Sequence, residues 1–161
     1  MWRELIVLLQ QIRDAYARSI EIGKKKHNAL VGLDFRALDA LNKQEEKLTG
    51  EIRQLEEKRL KLMAELSKEQ AGIEQDIKLS RLIAKLPSGP IRSSLYTLYA
   101  ELSEKVKAAK KLSDDNRVLI RAAMSAVSYH LNRVGGVRAN STYGSSGDEG
   151  GTQRRNLDFH A

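Results

Sequence analysis

At 161 residues the chain is long enough for one domain and short for two. Charged residues at 30%, aromatics at 5%, two prolines and no cysteine describe long helices, exclude disulfides and thiolate metal sites, and fit a reducing cytosol. The net charge of +7 lies wholly before Gly135, because the stretch from Gly135 to Ala161 balances Arg138, Arg154 and Arg155 against Asp148, Glu149 and Asp158. A basic surface of this kind attracts nucleic acid, anionic lipid or an acidic partner, or is simply a solvated face.

The first nine residues hold one short apolar run. It has no basic n-region and no small-residue cleavage site, and Gln10, Gln11 and Arg13 end it too soon to span a bilayer. It reads as the opening turns of a helix, so no stable membrane insertion is expected. Leu5, Leu9, Ile12, Tyr16, Ser19, Gly23, Lys26 and Leu30 then recur at alternating spacings of four and three. That rhythm is the packing seam of a helix from Trp2 to about Val31, roughly 45 Å long. Asp14 stands four residues before Arg18 and Glu21 four before Lys25, the order that favours ion pairs along a helix.

Val31-Gly32-Leu33-Asp34 is a short joint that folds the chain into an antiparallel hairpin. Asp34 is a good N-cap for the second helix, which runs to about Lys68. Its seam is Leu38, Leu41, Glu45, Leu48, Ile52, Leu55, Arg59, Leu62 and Leu66. Glu45 and Arg59 in that seam are either register devices or positions where the bundle opens to water.

Gln70 to Asp76, centred on Gly72, reads as a connection, and Ile77 to Leu86 as a short helix ended by Pro87-Ser88-Gly89. Pro90 takes the first position of the last helix, where its missing N–H costs nothing. That helix runs to about Val134 and is stopped by Gly135-Gly136. The expected fold is all-α: an elongated antiparallel helical bundle, or coiled-coil hairpin, of three long helices and one short one in residues 1–134. Residues 135–161 hold six of the eleven glycines and little apolar surface, so a flexible tail, disordered when free, is expected there. Tyr143, Leu157 and Phe159 are its apolar points. They make it either a recognition segment or an inert tail.

Little in the sequence points to catalysis. None of His27, His130 and His160 has a carboxylate or second histidine at helical ligand spacing, and no Glu-x-x-His occurs. Neighbouring carboxylates, Glu45-Glu46, Glu56-Glu57 and Asp114-Asp115, point about 100° apart on a helix and read as solvated faces. No phosphate-cradling glycine loop precedes a helix. The basic clusters, Lys24-Lys25-Lys26 and Lys105, Lys107, Lys110 and Lys111, are interleaved with acids and lack aromatic platforms, so nucleic-acid binding is not favoured. A binding protein without cofactor or metal is expected.

Several segments resemble one family. Gly23-Lys24-Lys25-Lys26-His27-Asn28-Ala29-Leu30-Val31, then Asp34, Leu38, Leu41 and Glu45-Glu46, look like the N-terminal half of the FlgN family. Leu112-Ser113-Asp114-Asp115-Asn116-Arg117-Val118-Leu119-Ile120 is similar to that family's last-helix pattern, with an asparagine followed three residues on by an aliphatic. Thr142-Tyr143-Gly144-Ser145-Ser146-Gly147 resembles its tyrosine–glycine tail motif. The resemblance implies a cytoplasmic chaperone of flagellar type III export. Its clients are the hook–filament junction proteins, bound by their C-terminal helices before secretion. It implies that Tyr143 docks on the cytosolic domain of the export gate, with Gly144 and Gly147 shaping the turn. A cargo helix needs an apolar groove with contacts at i, i+3, i+4 and i+7. Ala123, Ala126, Val127, His130, Leu131 and Val134 could supply one, and could equally be bundle core. The alternatives are a helical scaffold that self-associates through the same seams, and a basic helical nucleic-acid binder. Nothing in the residues assigns a role to Arg154-Arg155 or to Leu157-Asp158-Phe159.

Overall fold

The computed structural model describes residues 1–70, 72–74 and 77–135. They form α1 (Trp2–Val31), α2 (Phe35–Glu69), α3 (Leu79–Lys85) and α4 (Pro90–Gly135), with no strand among the described residues. The all-α expectation and the three long helices are borne out. Tyr143, Gly144 and Gly147, with the rest of the expected tail beyond Gly135, lie outside the described residues.

The seams explain the bundle. In α1, Leu5, Leu9, Ile12, Tyr16, Gly23, Lys26 and Leu30 are buried, and so is a second line of Leu8, Ala15 and Ala29. The apolar face of α1 is therefore wide, because it serves two neighbours. α2 packs antiparallel on one side and buries Leu41, Leu48, Ile52, Leu55, Met63 and Leu66. α4 packs on the other side and buries Leu95, Leu98 and Leu102. Among the described residues α2 and α4 bring no pair of Cα atoms within 8 Å, so α1 is the bridge between them. α3 packs on α4 and sends Leu82 and Ile83 into the core at the end where α1 begins. Each fully buried leucine there is worth roughly 2–3 kcal/mol of apolar burial.

The turns use local chemistry. Asp34 Oδ1 accepts from Ala37 N at 2.9 Å and caps α2 as expected. The joint before it is less ordinary, since Leu33 holds φ at +53°, a left-handed conformation that glycine or asparagine adopts more cheaply. Gly72, at φ +94°, does have the permissive residue, and its carbonyl accepts from Lys85 Nζ at 2.6 Å. Pro90 opens α4.

Three sequence expectations need correction. Arg18 bonds across the interface to Glu51, not along α1 to Asp14, and Glu21 meets Lys24 at 3.0 Å instead of Lys25. A facing helix offers Arg18 a bidentate carboxylate that a neighbour on its own helix does not. Of the lysine run, Lys26 is buried, as its place in the α1 seam predicts, while Lys24 and Lys25 are exposed. Glu56 is not on a solvated face but buried, with Oε2 accepting from Arg59 Nε at 2.8 Å and Oε1 lacking a hydrogen-bond partner. The α1–α2 interface is wider than a two-position seam, so a residue flanking Leu55 is covered as well.

Burial, and then the charge of Glu56, push the Tyr16 phenol up from 10.0 to about 12. The neutral phenol is thus the form the fold favours. Its contribution to stability is complete below pH 10 and is lost as pH climbs through 12. In a titration of tyrosinate absorbance, one of the five tyrosines should ionise late, and Tyr16→Phe should remove that late step. A late step that survives in Tyr16→Phe would contradict this assignment.

Candidate functional site

The pairing of α1 with α4 fixes where each helix ends. Arg13 Nη1 donates to Glu101 Oε2 at 2.9 Å, 88 positions apart, and His27 Nδ1 faces Asn116 Oδ1 at 3.3 Å, 89 positions apart. Residue numbers rise together, so the two helices are parallel. Between those pairs the backbones close in, where a Cβ on Gly23 would stand 2.7 Å from Leu112 Cδ2. Asn116, only 3% exposed, donates through Nδ2 to Gly23 O at 2.8 Å. Because Nδ2 is committed to that carbonyl, Oδ1 is the acceptor left for His27, whose Nδ1 then carries the proton.

On the α2 side the two polar seam residues meet. Lys26 Nζ sits 2.6 Å from Glu45 Oε2, with the lysine side chain 10% and the glutamate 41% exposed. Any slip of one heptad would leave that lysine buried without its carboxylate. Glu45 therefore acts in register, whereas Arg59 bonds within its own helix to Glu56.

The same offset places Val31, the last residue of α1, level with Leu119 and Ile120. α4 continues for about 15 more residues, roughly 22 Å, with no other helix of the described residues beside it. The stripe that packs on α1 runs straight on: Leu112, Asn116 and Ile120 are followed by Ala123, Val127, Leu131 and Val134 at helical spacing. Of the six residues expected to bind cargo, Ala123 is half-buried, while Ala126, Val127, His130, Leu131 and Val134 are exposed, Val134 to 88%. None is bundle core. Met124 and Tyr129 share this exposure and were not anticipated. The signal that could have found them is the mismatch in helix length. Tyr129 stacks beneath Arg133 at 5.8 Å and meets the His130 ring edge-on at 5.9 Å. From Asn116 to Gly135 there are three arginines, Arg117, Arg121 and Arg133, and no aspartate or glutamate.

A polar hollow of about 380 Å³ lies between α1 and α2 around Asp14, Arg18, Glu51 and Lys58, and is a gap between ion-paired side chains. No group of His, Asp and Glu able to hold a metal occurs among the described residues. None of their helices is long and apolar enough to cross a membrane. The sequence profile of one family, described as "FlgN protein", matches residues 1–151. The chain belongs to the FlgN family. FlgN proteins are flagellar export chaperones, binding proteins of flagellar subunits rather than a known enzyme family. The match takes in the whole free end of α4. No curated protein and no solved structure matches the chain.

Proposed function

We propose that this FlgN protein is a cytoplasmic chaperone that holds the C-terminal helices of hook–filament junction proteins, keeps them from assembling early and delivers them to the type III export gate. The observation that carries the reading is the free end of α4. It presents an apolar stripe in helical register, exposed at a place where no other helix among the described residues covers it. Ala123, Ala126, Val127, His130, Leu131 and Val134 receive the cargo helix, with contacts at i, i+3, i+4 and i+7. In this reading residues 1–134 are the cargo-holding bundle and 135–161 a tail whose Tyr143, Gly144 and Gly147 engage the cytosolic domain of the gate. Neither nucleic acid nor a cofactor takes part.

Size-exclusion chromatography with light scattering, with and without the C-terminal helical segment of a junction protein, tests it. A stable complex is expected, lost in Leu131→Ser/Val134→Ser and retained in Tyr143→Ala, which should weaken gate binding alone. A chain that stays unshifted and is already dimeric would instead identify a self-assembling scaffold.

A further inference from the structure

The end of the bundle that carries the free helix has a second apolar feature. Val31, Leu33 and Phe35, around the α1–α2 joint, are 66%, 55% and 55% exposed. With the offset that pairs α1 and α4, this joint lies level with the first turn of the free end. Leu33 is also the one non-glycine among the described residues with positive φ. An exposed leucine there pays twice, in left-handed strain and in apolar surface left in water, where asparagine or glycine would avoid both. A turn needs no such residue; a docking surface does. The charge of the neighbouring free end is one-sided. The joint itself holds both signs, with Asp34 capping α2, Asp39 paired with Lys43 at 2.9 Å and Arg36 exposed, whereas the free end carries arginines without acids.

We infer that the joint is a second wall of the cargo site, and that the occupant of the combined surface is an amphipathic helix with an apolar ridge and acidic flanks. The apolar ridge lies along Val127, Leu131 and Val134 and reaches Leu33 and Phe35, and the acidic flanks meet Arg36, Arg121 and Arg133. This rests on the chaperone reading above, and deepens it by naming the second contact and the charge of the partner.

The test is fluorescence anisotropy of the labelled junction-protein segment on the full chain, at low and high salt. Leu33→Asn/Phe35→Ser should bind at least tenfold more weakly with unchanged helicity, since asparagine accepts the left-handed turn. Arg121→Glu/Arg133→Glu should weaken binding and flatten its salt dependence. If Leu33→Asn/Phe35→Ser binds like the natural chain while Leu131→Ser/Val134→Ser does not, the joint is no wall and the chaperone reading stands. If the natural chain binds no segment, the chaperone reading falls and takes this inference with it. Salt-independent binding would overturn the acidic-flank assignment. A dimer of the natural chain that dissociates in Leu33→Asn/Phe35→Ser would make the occupant a second copy. Tenfold tighter binding by Leu157→Ser/Phe159→Ser would make it the chain's own C-terminal segment.

Discussion

Leu9→Ala and Leu131→Ala, the same truncation at two leucines, should differ by about 3 kcal/mol in their effect on stability. Leu9 is completely buried, in the part of α1 that faces both neighbours, and Leu131 is 67% exposed. Removing three carbons at Leu9 forfeits their transfer energy and leaves a cavity that rigid helices close only in part. For a domain of this size that corresponds to a melting temperature lower by roughly 10 °C. At Leu131 no cavity forms, and alanine is the better helix former, so stability should hold or rise slightly. Thermal unfolding followed by circular dichroism reads both. Equal losses would mean that the free end of α4 packs against something in solution, and a chain self-associated through that end would be the first explanation to examine.

The second large effect is expected at Gly23. A glycine in mid-helix is unfavourable by about 1 kcal/mol relative to alanine, so its place in a seam needs a reason. The reason is the approach of Leu112 and the bond from Asn116 Nδ2 to the Gly23 carbonyl. Gly23→Ala should be close to neutral, because the crowded atoms belong to a half-buried leucine side chain that can rotate away while the helix gains propensity. Gly23→Leu cannot be absorbed in this way. It should lower stability by about 2–3 kcal/mol and lift the upper part of α4 from α1. Amide exchange would locate the damage, with protection falling around Leu112 to Asn116 and persisting around Leu95 to Leu102. Uniform loss along α4 would show that the close approach is not a local clasp.

Much of the bundle was legible in the sequence because its determinants are local. Alternating spacings of three and four mark the seams of α1 and α2, Asp34 and Pro90 mark two starts, and Gly72 with Pro87 marks the break around α3. Relations between distant helices were less legible. Asn116 carried a family resemblance but no sign that it would be buried against a carbonyl on α1. Glu56 looked like one more charge on a charged helix, because burial at the flank of a seam depends on how wide the facing helix is. The residues proposed to receive cargo show the limit best. Apolar periodicity in α4 is continuous through Val134, so it cannot say where α1 stops beside it. The register pairs say that, and they convert an apparent core stripe into an exposed one.

α1 is the bridge of the bundle, and it is synthesised before both of the helices it joins. Its contacts with α2 span short loops, whereas those with α4 join residues nearly ninety apart. At usual elongation rates of 5–20 residues per second, the stretch from the end of α2 to the end of α4 takes roughly 3–13 s to emerge. Throughout that interval the hairpin can form, but the α4-facing side of α1 has no partner in the growing chain. The nascent protein therefore presents an unpaired apolar helix face of its own, and it is the late arrival of α4 that withdraws this face.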